Sequence, residues 1–187
     1  GGVKDVLITS EIVSVSKITR LAALARHASI KVVVDNAENA RHISEAAAAA
    51  QSEIGVLVDV NIRINRCGVE PGEPTTTLAK IVDQLPALHF AGLNGYEGHV
   101  FGFGDERIPE TLEALEKLQY AVSEVNAAGL PIETVSAGGT STHDITCKVP
   151  EVTEVQAGSY IFMDGQYVDQ KLSFRPALTI MTQVISR

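Results

Sequence analysis

The sequence predicts an α/β protein built on a parallel sheet, and three observations carry that prediction. Short β-branched runs alternate with longer stretches of helical periodicity along the chain. The runs are apolar at consecutive positions, as strands covered on both faces must be. Segments rich in glycine and hydroxyl side chains follow strands, where parallel α/β folds gather their ligand-binding groups. Crossovers of this kind are right-handed, which leaves a doubly wound sheet or a (β/α)8 barrel. Six βα units can be counted in the sequence, fewer than the eight of a full barrel.

Val6-Leu7-Ile8 is the first strand, and Lys17–His27 follows as a helix with Ile18, Leu21, Leu24 and Ala25 at helical spacing. Ile30–Val34 is nearly all apolar and forms the second strand. Asp35 or Asn36 caps the next helix, which runs through the Ala46–Ala50 tract. Gly55–Ile62 is the third strand, Leu78–Leu85 a helix and Phe90–Leu93 the fourth strand. Glu110–Asn126 is the clearest helix, with Leu112, Leu115, Leu118 and Val122 on one face and Gly129 beyond its end. Ile132–Val135 is strand five, and Glu154-Val155-Gln156 with Ser159–Phe162 bracket a sixth. Leu172–Ile185 has β character with no helix after it. No repeat or linker interrupts the chain before about Gln170.

At 187 residues the chain buries a real core, and its 45% apolar and 20% charged composition excludes whole-chain disorder. A net charge of −8 has the wrong sign for nucleic acid or an anionic membrane. Two cysteines, Cys67 and Cys147, do not make a secreted disulfide scaffold, so a reducing, cytoplasmic setting is expected. No leader-like or membrane-length apolar stretch is present. The only methionines are Met163 and Met181, so the expectation is a soluble piece of a longer protein.

Four clusters after strands bear on chemistry. In Ser136-Ala137-Gly138-Gly139-Thr140-Ser141-Thr142, backbone amides and hydroxyls can converge on a phosphate; the plain alternative is a loop with Thr140 or Ser141 as helix cap. Gln156-Ala157-Gly158-Ser159-Tyr160 could complete such a site from the next strand, or be a simple turn. Asn61 to Val69 carries Arg63 and Arg66, whose planar forks suit a phenolate or carboxylate, although any single arginine more often pairs on the surface. Cys67 has no neighbour in sequence to activate it as a nucleophile. Asn94-Gly95-Tyr96-Glu97-Gly98-His99 offers a stacking aromatic and acid–base groups. Glu97 with His99, and His143 with Cys147, lack a third metal ligand nearby.

These clusters together resemble the D-threonine aldolases and their relatives, eukaryotic-type D-serine dehydratase and 3-hydroxyaspartate aldolase or dehydratase. The residues that carry the resemblance are Asp59-Val60-Asn61, Asn65 to Val69 with Pro71-Gly72, Gly92 to His99, Val135 to Thr142, and Glu154 to Asp164. The resemblance implies an alanine-racemase-like barrel of fold-type III pyridoxal 5′-phosphate enzymes, here a partial (β/α)8 barrel over residues 1–170. Residues 171–187 would begin a C-terminal β-rich domain. It implies that Arg66 contacts the cofactor's phenolic oxygen and Tyr96 packs on its ring. Gly138, Gly139 and Thr140, completed by Gly158 and Ser159, would hold the phosphate. Gln156 would face the ring nitrogen in place of an arginine, and a neutral glutamine would leave that nitrogen unprotonated more readily.

The family's Schiff-base lysine is expected before Gly1, since Lys4 and Lys17 lack its context, and the family's divalent-metal ligands are expected beyond Arg187. The implied activity is that of a lyase on a D-3-hydroxy amino acid, by retro-aldol cleavage or dehydration, in a homodimer. An amino-acid racemase, a non-catalytic module of the same barrel family and a phosphosugar-binding barrel are the rival readings.

Overall fold

The computed structural model describes residues 2–101, 104–169 and 172–186. One sheet contains β1 (Asp5–Ile8), β2 (Ser29–Val34), β3 (Ile54–Asp59), β4 (Leu88–Gly95), β5 (Thr134–Ala137) and β6 (Glu154–Val155). The spatial order equals the chain order and every neighbouring pair is parallel. A doubly wound sheet reverses its strand order at a switch point. No reversal occurs here, so same-handed crossovers put the helices on one side and the sheet curls as a partial barrel.

The helices are α1 (Val15–Leu24), α2 (Ala37–Ala49), α3 (Glu73–Gln84), α4 (Arg107–Ala127) and the short α5 (His143–Thr146) and α6 (Gly165–Asp169). Asn36 caps α2, its side-chain oxygen accepting from the Glu38 and Asn39 amides at 2.8 and 3.2 Å. The strand pleat separates two apolar clusters. Val32, Val34, Val56, Val58 and Leu93 pack with the buried helix faces, whereas Val33, Leu57 and Ala91 form a small inner cluster with Leu7 against it.

Several expectations shift. Leu24 and Leu112 are 54% and 43% exposed, because each lies about 110–120° round its helix from the centre of the buried stripe. The α4 stripe is Thr111, Ala114, Leu115, Leu118, Ala121, Val122 and Val125. Strand β5 begins two residues later than its apolar run, at Thr134. Ser159–Phe162 is not strand: Ser159–Ile161 is a 3-10 turn, and the Tyr160 amide donates to Thr140 Oγ1 rather than to a ladder carbonyl. Residues 172–186 are irregular, tied back where the Ala177 and Leu178 amides donate to the Phe162 carbonyl. No described helix is long and apolar enough to cross a membrane.

Because all strands run the same way, the residues just past their C-terminal ends share one rim. Thr9, Ser10 and Glu11 follow β1, Asn61 to Cys67 follow β3, and Tyr96 and Glu97 follow β4. Gly138 to Thr142 follow β5, and Gln156 to Ser159 follow β6.

Candidate active site

After β3 the chain must turn out and return so that Val69 can pair beside Val60. Asn61 holds the turn, accepting from the Asn65 amide at 3.0 Å and donating to Asn65 Oδ1 and Glu70 Oε1, both at 2.9 Å. Arg63 and Asn65 adopt left-handed backbone angles (φ 96° and 52°). The turn sends the two arginines apart: Arg63 pairs with Glu113 on the outside, while Arg66 lies 5.7 Å from the Tyr96 ring centroid.

Arg66 and Tyr96 line a cavity of about 280 Å³ with Thr9, Ser10, Asp59, Asn94 and Gln156. A hydrogen-bond chain crosses its floor. Asn94 Nδ2 donates to Asp59, and Gln156 Nε2 donates to Asn94 Oδ1 at 2.5 Å and to Ser136 Oγ at 3.0 Å. Ser136 Oγ donates onward to Glu154 at 2.7 Å. The carboxylate end fixes the polarity: both amide hydrogens of Gln156 are spent, which leaves its Oε1 as an acceptor. Burial pushes the Asp59 carboxyl up to about 6, against hydrogen bonds from Asn94 and Cys67. Burial likewise pushes the Cys67 thiol up to about 11, so it is neither a ready nucleophile nor a ready thiolate ligand. Glu11, Asp59 and Cys67 place ligand atoms within 4.8 Å of one another.

A smaller recess of about 30 Å³ adjoins this cavity across Tyr96 and is lined by Gly139, Thr140, Ser141 and Thr142 among others. Burial raises the Tyr96 phenol above its ordinary range, so it stays neutral. The ring needs glycine on both sides: a Cβ on Gly98 would stand 2.1 Å from it, and one on Gly139 3.1 Å. The loop after β5 is fixed from two directions. Arg107 Nη1 donates to the Ser141 carbonyl at 2.7 Å, and both its terminal nitrogens grip Asp144 at 2.6 and 2.8 Å. Glu97, 1% exposed, accepts from the Gly138 amide at 3.0 Å. The Gly139 amide donates to Thr142 Oγ1 at 3.1 Å. The amides of Thr140 and Ser141 donate to no group among the described residues.

Arg66, Tyr96 and Gln156 thus meet at one cavity, and Gly139 and Thr140 at the recess beside it. Gly138 lines neither, its amide being turned inward. Gly158 and Ser159 line neither, but reach the loop through the Tyr160–Thr140 hydrogen bond at 3.1 Å; a Cβ on Gly158 would meet nothing within 4 Å. Glu97 and His99, read as acid–base groups, do not line the larger cavity; Glu97 lines the recess, its carboxylate committed beneath the loop. Sequence reading missed Thr9, Ser10 and Glu11, whose signal was their position just past β1. It also missed Asp59 and Asn94 as cavity residues, though Asp59 ends β3 and Asn94 is the last residue but one of β4. No described lysine lines the cavity.

The chain belongs to the family described as alanine racemase, N-terminal domain, which matches residues 3–166. Within it, the chain is 35% identical over 192 residues to a D-threonine aldolase from Arthrobacter sp, covering 100% of this chain and 51% of that protein. It is 35% identical over 200 residues to a 3-hydroxy-D-aspartate aldolase from Paracoccus denitrificans, again covering 100% and 51%. The crystal structure of D-threonine aldolase from Filomicrobium marinum superposes with a TM-score of 0.90 at 37% identity, over 94% of this chain and 50% of that one. The chain therefore spans about half the length of the relatives it matches.

Proposed function

We propose that this chain forms most of the pyridoxal 5′-phosphate cradle of a lyase acting on D-3-hydroxy amino acids. The observation that carries the reading is the convergence of Arg66, Tyr96 and Gln156 on one cavity beside a glycine loop with two uncommitted amides, in a chain similar to two aldolases of that substrate class.

The donor set fits the cofactor. Arg66, a permanent cation at the cavity, would pair with the cofactor's phenolic oxygen, and the neutral Tyr96 face would support its pyridine ring. The Thr140 and Ser141 amides would donate to a phosphate, and the open space at Gly158 would leave room for it. Gln156 lines the cavity, where the resemblance puts it opposite the ring nitrogen. Bound pyridoxal phosphate supplies the electron sink for charge at the reacting carbon. The chain's own residues bind, orient and polarise it.

The reading places the lysine that holds the cofactor, and the ligands of a divalent metal, outside this chain. It further assigns residues 171–187 to the start of a second domain, and the whole protein to a cytoplasmic homodimer. The two cysteines, both unpaired, support the reducing compartment.

The test is to supply the whole protein with D-threonine and D-3-hydroxyaspartate, and to assay glycine plus aldehyde against ammonia plus 2-oxo acid. Glycine release supports the aldolase form, and ammonia the dehydratase form. Interconversion of D- and L-amino acids with neither product would replace the lyase reading with a racemase. Failure to bind pyridoxal phosphate at all would remove the cofactor.

A further inference from the structure

We propose that Glu97 is the positioning residue of the phosphate loop, fixing from beneath which amides a phosphate can reach; the inference rests on the cofactor reading above. Glu97 is 1% exposed and pairs with no cation among the described residues. Burying a carboxylate this deeply is costly unless donors replace its water. Three do so. Oε2 accepts from the Gly138 amide at 3.0 Å, and Oε1 accepts from Thr142 Oγ1 at 2.8 Å and Thr146 Oγ1 at 2.5 Å. Thr142 Oγ1 in turn accepts from the Gly139 amide at 3.1 Å, so one carboxylate ties the start of the loop, its end and α5.

The consequence is selective. Gly138 and Gly139, the amides that a glycine-rich loop would be expected to offer, are withdrawn from any ligand. Thr140 and Ser141 keep their amides, and they line the recess beside Tyr96. The donors held by Glu97 are themselves buried, Thr142 at 2% and Thr146 at 0% exposure. An apolar residue in its place would leave them unsatisfied and the loop unregistered.

The experiment is an equilibrium titration of the whole protein, freed of cofactor, with pyridoxal 5′-phosphate and with pyridoxal, which has the same ring and no phosphate. In Glu97→Gln we expect affinity for pyridoxal phosphate to fall about 10-fold or more, with pyridoxal unchanged within about twofold. Thr146→Val is nearly isosteric and removes one of the three donors, so a smaller loss of the same selectivity is expected. Equal loss of both ligands, or no loss of either, in Glu97→Gln overturns the proposal. Should that variant not fold, the Thr146→Val ratio decides alone, and an unchanged ratio overturns it. Failure of the unmodified protein to bind either ligand strikes the cofactor reading instead.

Discussion

The two walls of the candidate site are built in opposite ways. The loop after β5 is buried and anchored: Gly138 through Thr142 are all buried, Glu97 holds them from below and Arg107 from the side. The opposite wall is open. Arg66 is exposed, lying over the Tyr96 ring and beside Cys67, and among the described residues nothing stands within 4 Å of where a Gly158 side chain would go. A ligand thus meets one wall organised before it arrives and another that it must complete itself. Damage to the first wall should cost both folding and binding, and damage to the second should cost binding alone.

The largest effect is expected at Gly138. Its φ of +74° is unfavourable for side chains, and a Cβ would lie 3.1 Å from both Thr146 and Val155. Left-handed strain costs about 1–3 kcal/mol and overpacking a similar amount, so Gly138→Val should destabilise by roughly 2–5 kcal/mol in denaturant unfolding. A loss below about 0.5 kcal/mol, the range of ordinary surface changes, would break the comparison at its rigid side.

Arg66→Ala comes next and tests the open wall. Loss of a charge-assisted hydrogen bond, roughly 1.5–3 kcal/mol, should weaken pyridoxal phosphate binding by at least about 10-fold with unchanged unfolding. Arg63→Ala, which removes only the outward pair with Glu113, should leave affinity within about twofold. Equal effects of the two would reject the assignment of Arg66.

Asp59 joins the walls through Asn94 and Gln156. Its carboxyl is raised from 3.8 to about 6, so the folded state holds the proton more tightly than the unfolded chain. Its contribution is complete below pH 3.8 and is lost as pH rises through about 6. The unfolding midpoint of the unmodified protein should therefore fall between those pH values relative to Asp59→Asn. Parallel pH profiles of the two would contradict the buried carboxyl. The smallest change is expected of Gly158→Ala: stability within about 0.5 kcal/mol and a measurable loss of pyridoxal phosphate affinity. Destabilisation instead would show that the second loop is packed after all.

Much of this was legible in the sequence because its signals are local. Apolar β-branched runs marked the strands, position after a strand picked out the clusters that hold Arg63 with Arg66, Tyr96, Gln156 and the β5 loop, and the family resemblance singled out Arg66, Tyr96 and Gln156 within them. Ser159–Phe162 misled because an aromatic and β-branched run reads as strand wherever it lies, while the Tyr160 amide has a hydroxyl partner from the β5 loop. Leu24 and Leu112 misled because spacing alone did not locate the centre of the buried stripe. The role of Glu97 was out of reach: its partners lie 41, 45 and 49 residues away, and only the parallel neighbouring of β4 and β5 brings them together. The approach of Glu11 to Asp59 likewise exists only once the strands are assembled into the curled sheet.

The most direct test of the cradle is a crystal structure of the whole protein with pyridoxal 5′-phosphate bound. The account predicts density for the phosphate against the Thr140 and Ser141 amides and near Ser159, the ring over Tyr96, and the phenolic oxygen toward Arg66. The Gly138 amide should still be on Glu97. A phosphate bonded to the Gly138 and Gly139 amides with Glu97 displaced, or a cofactor bound away from Tyr96 and Arg66, would contradict it.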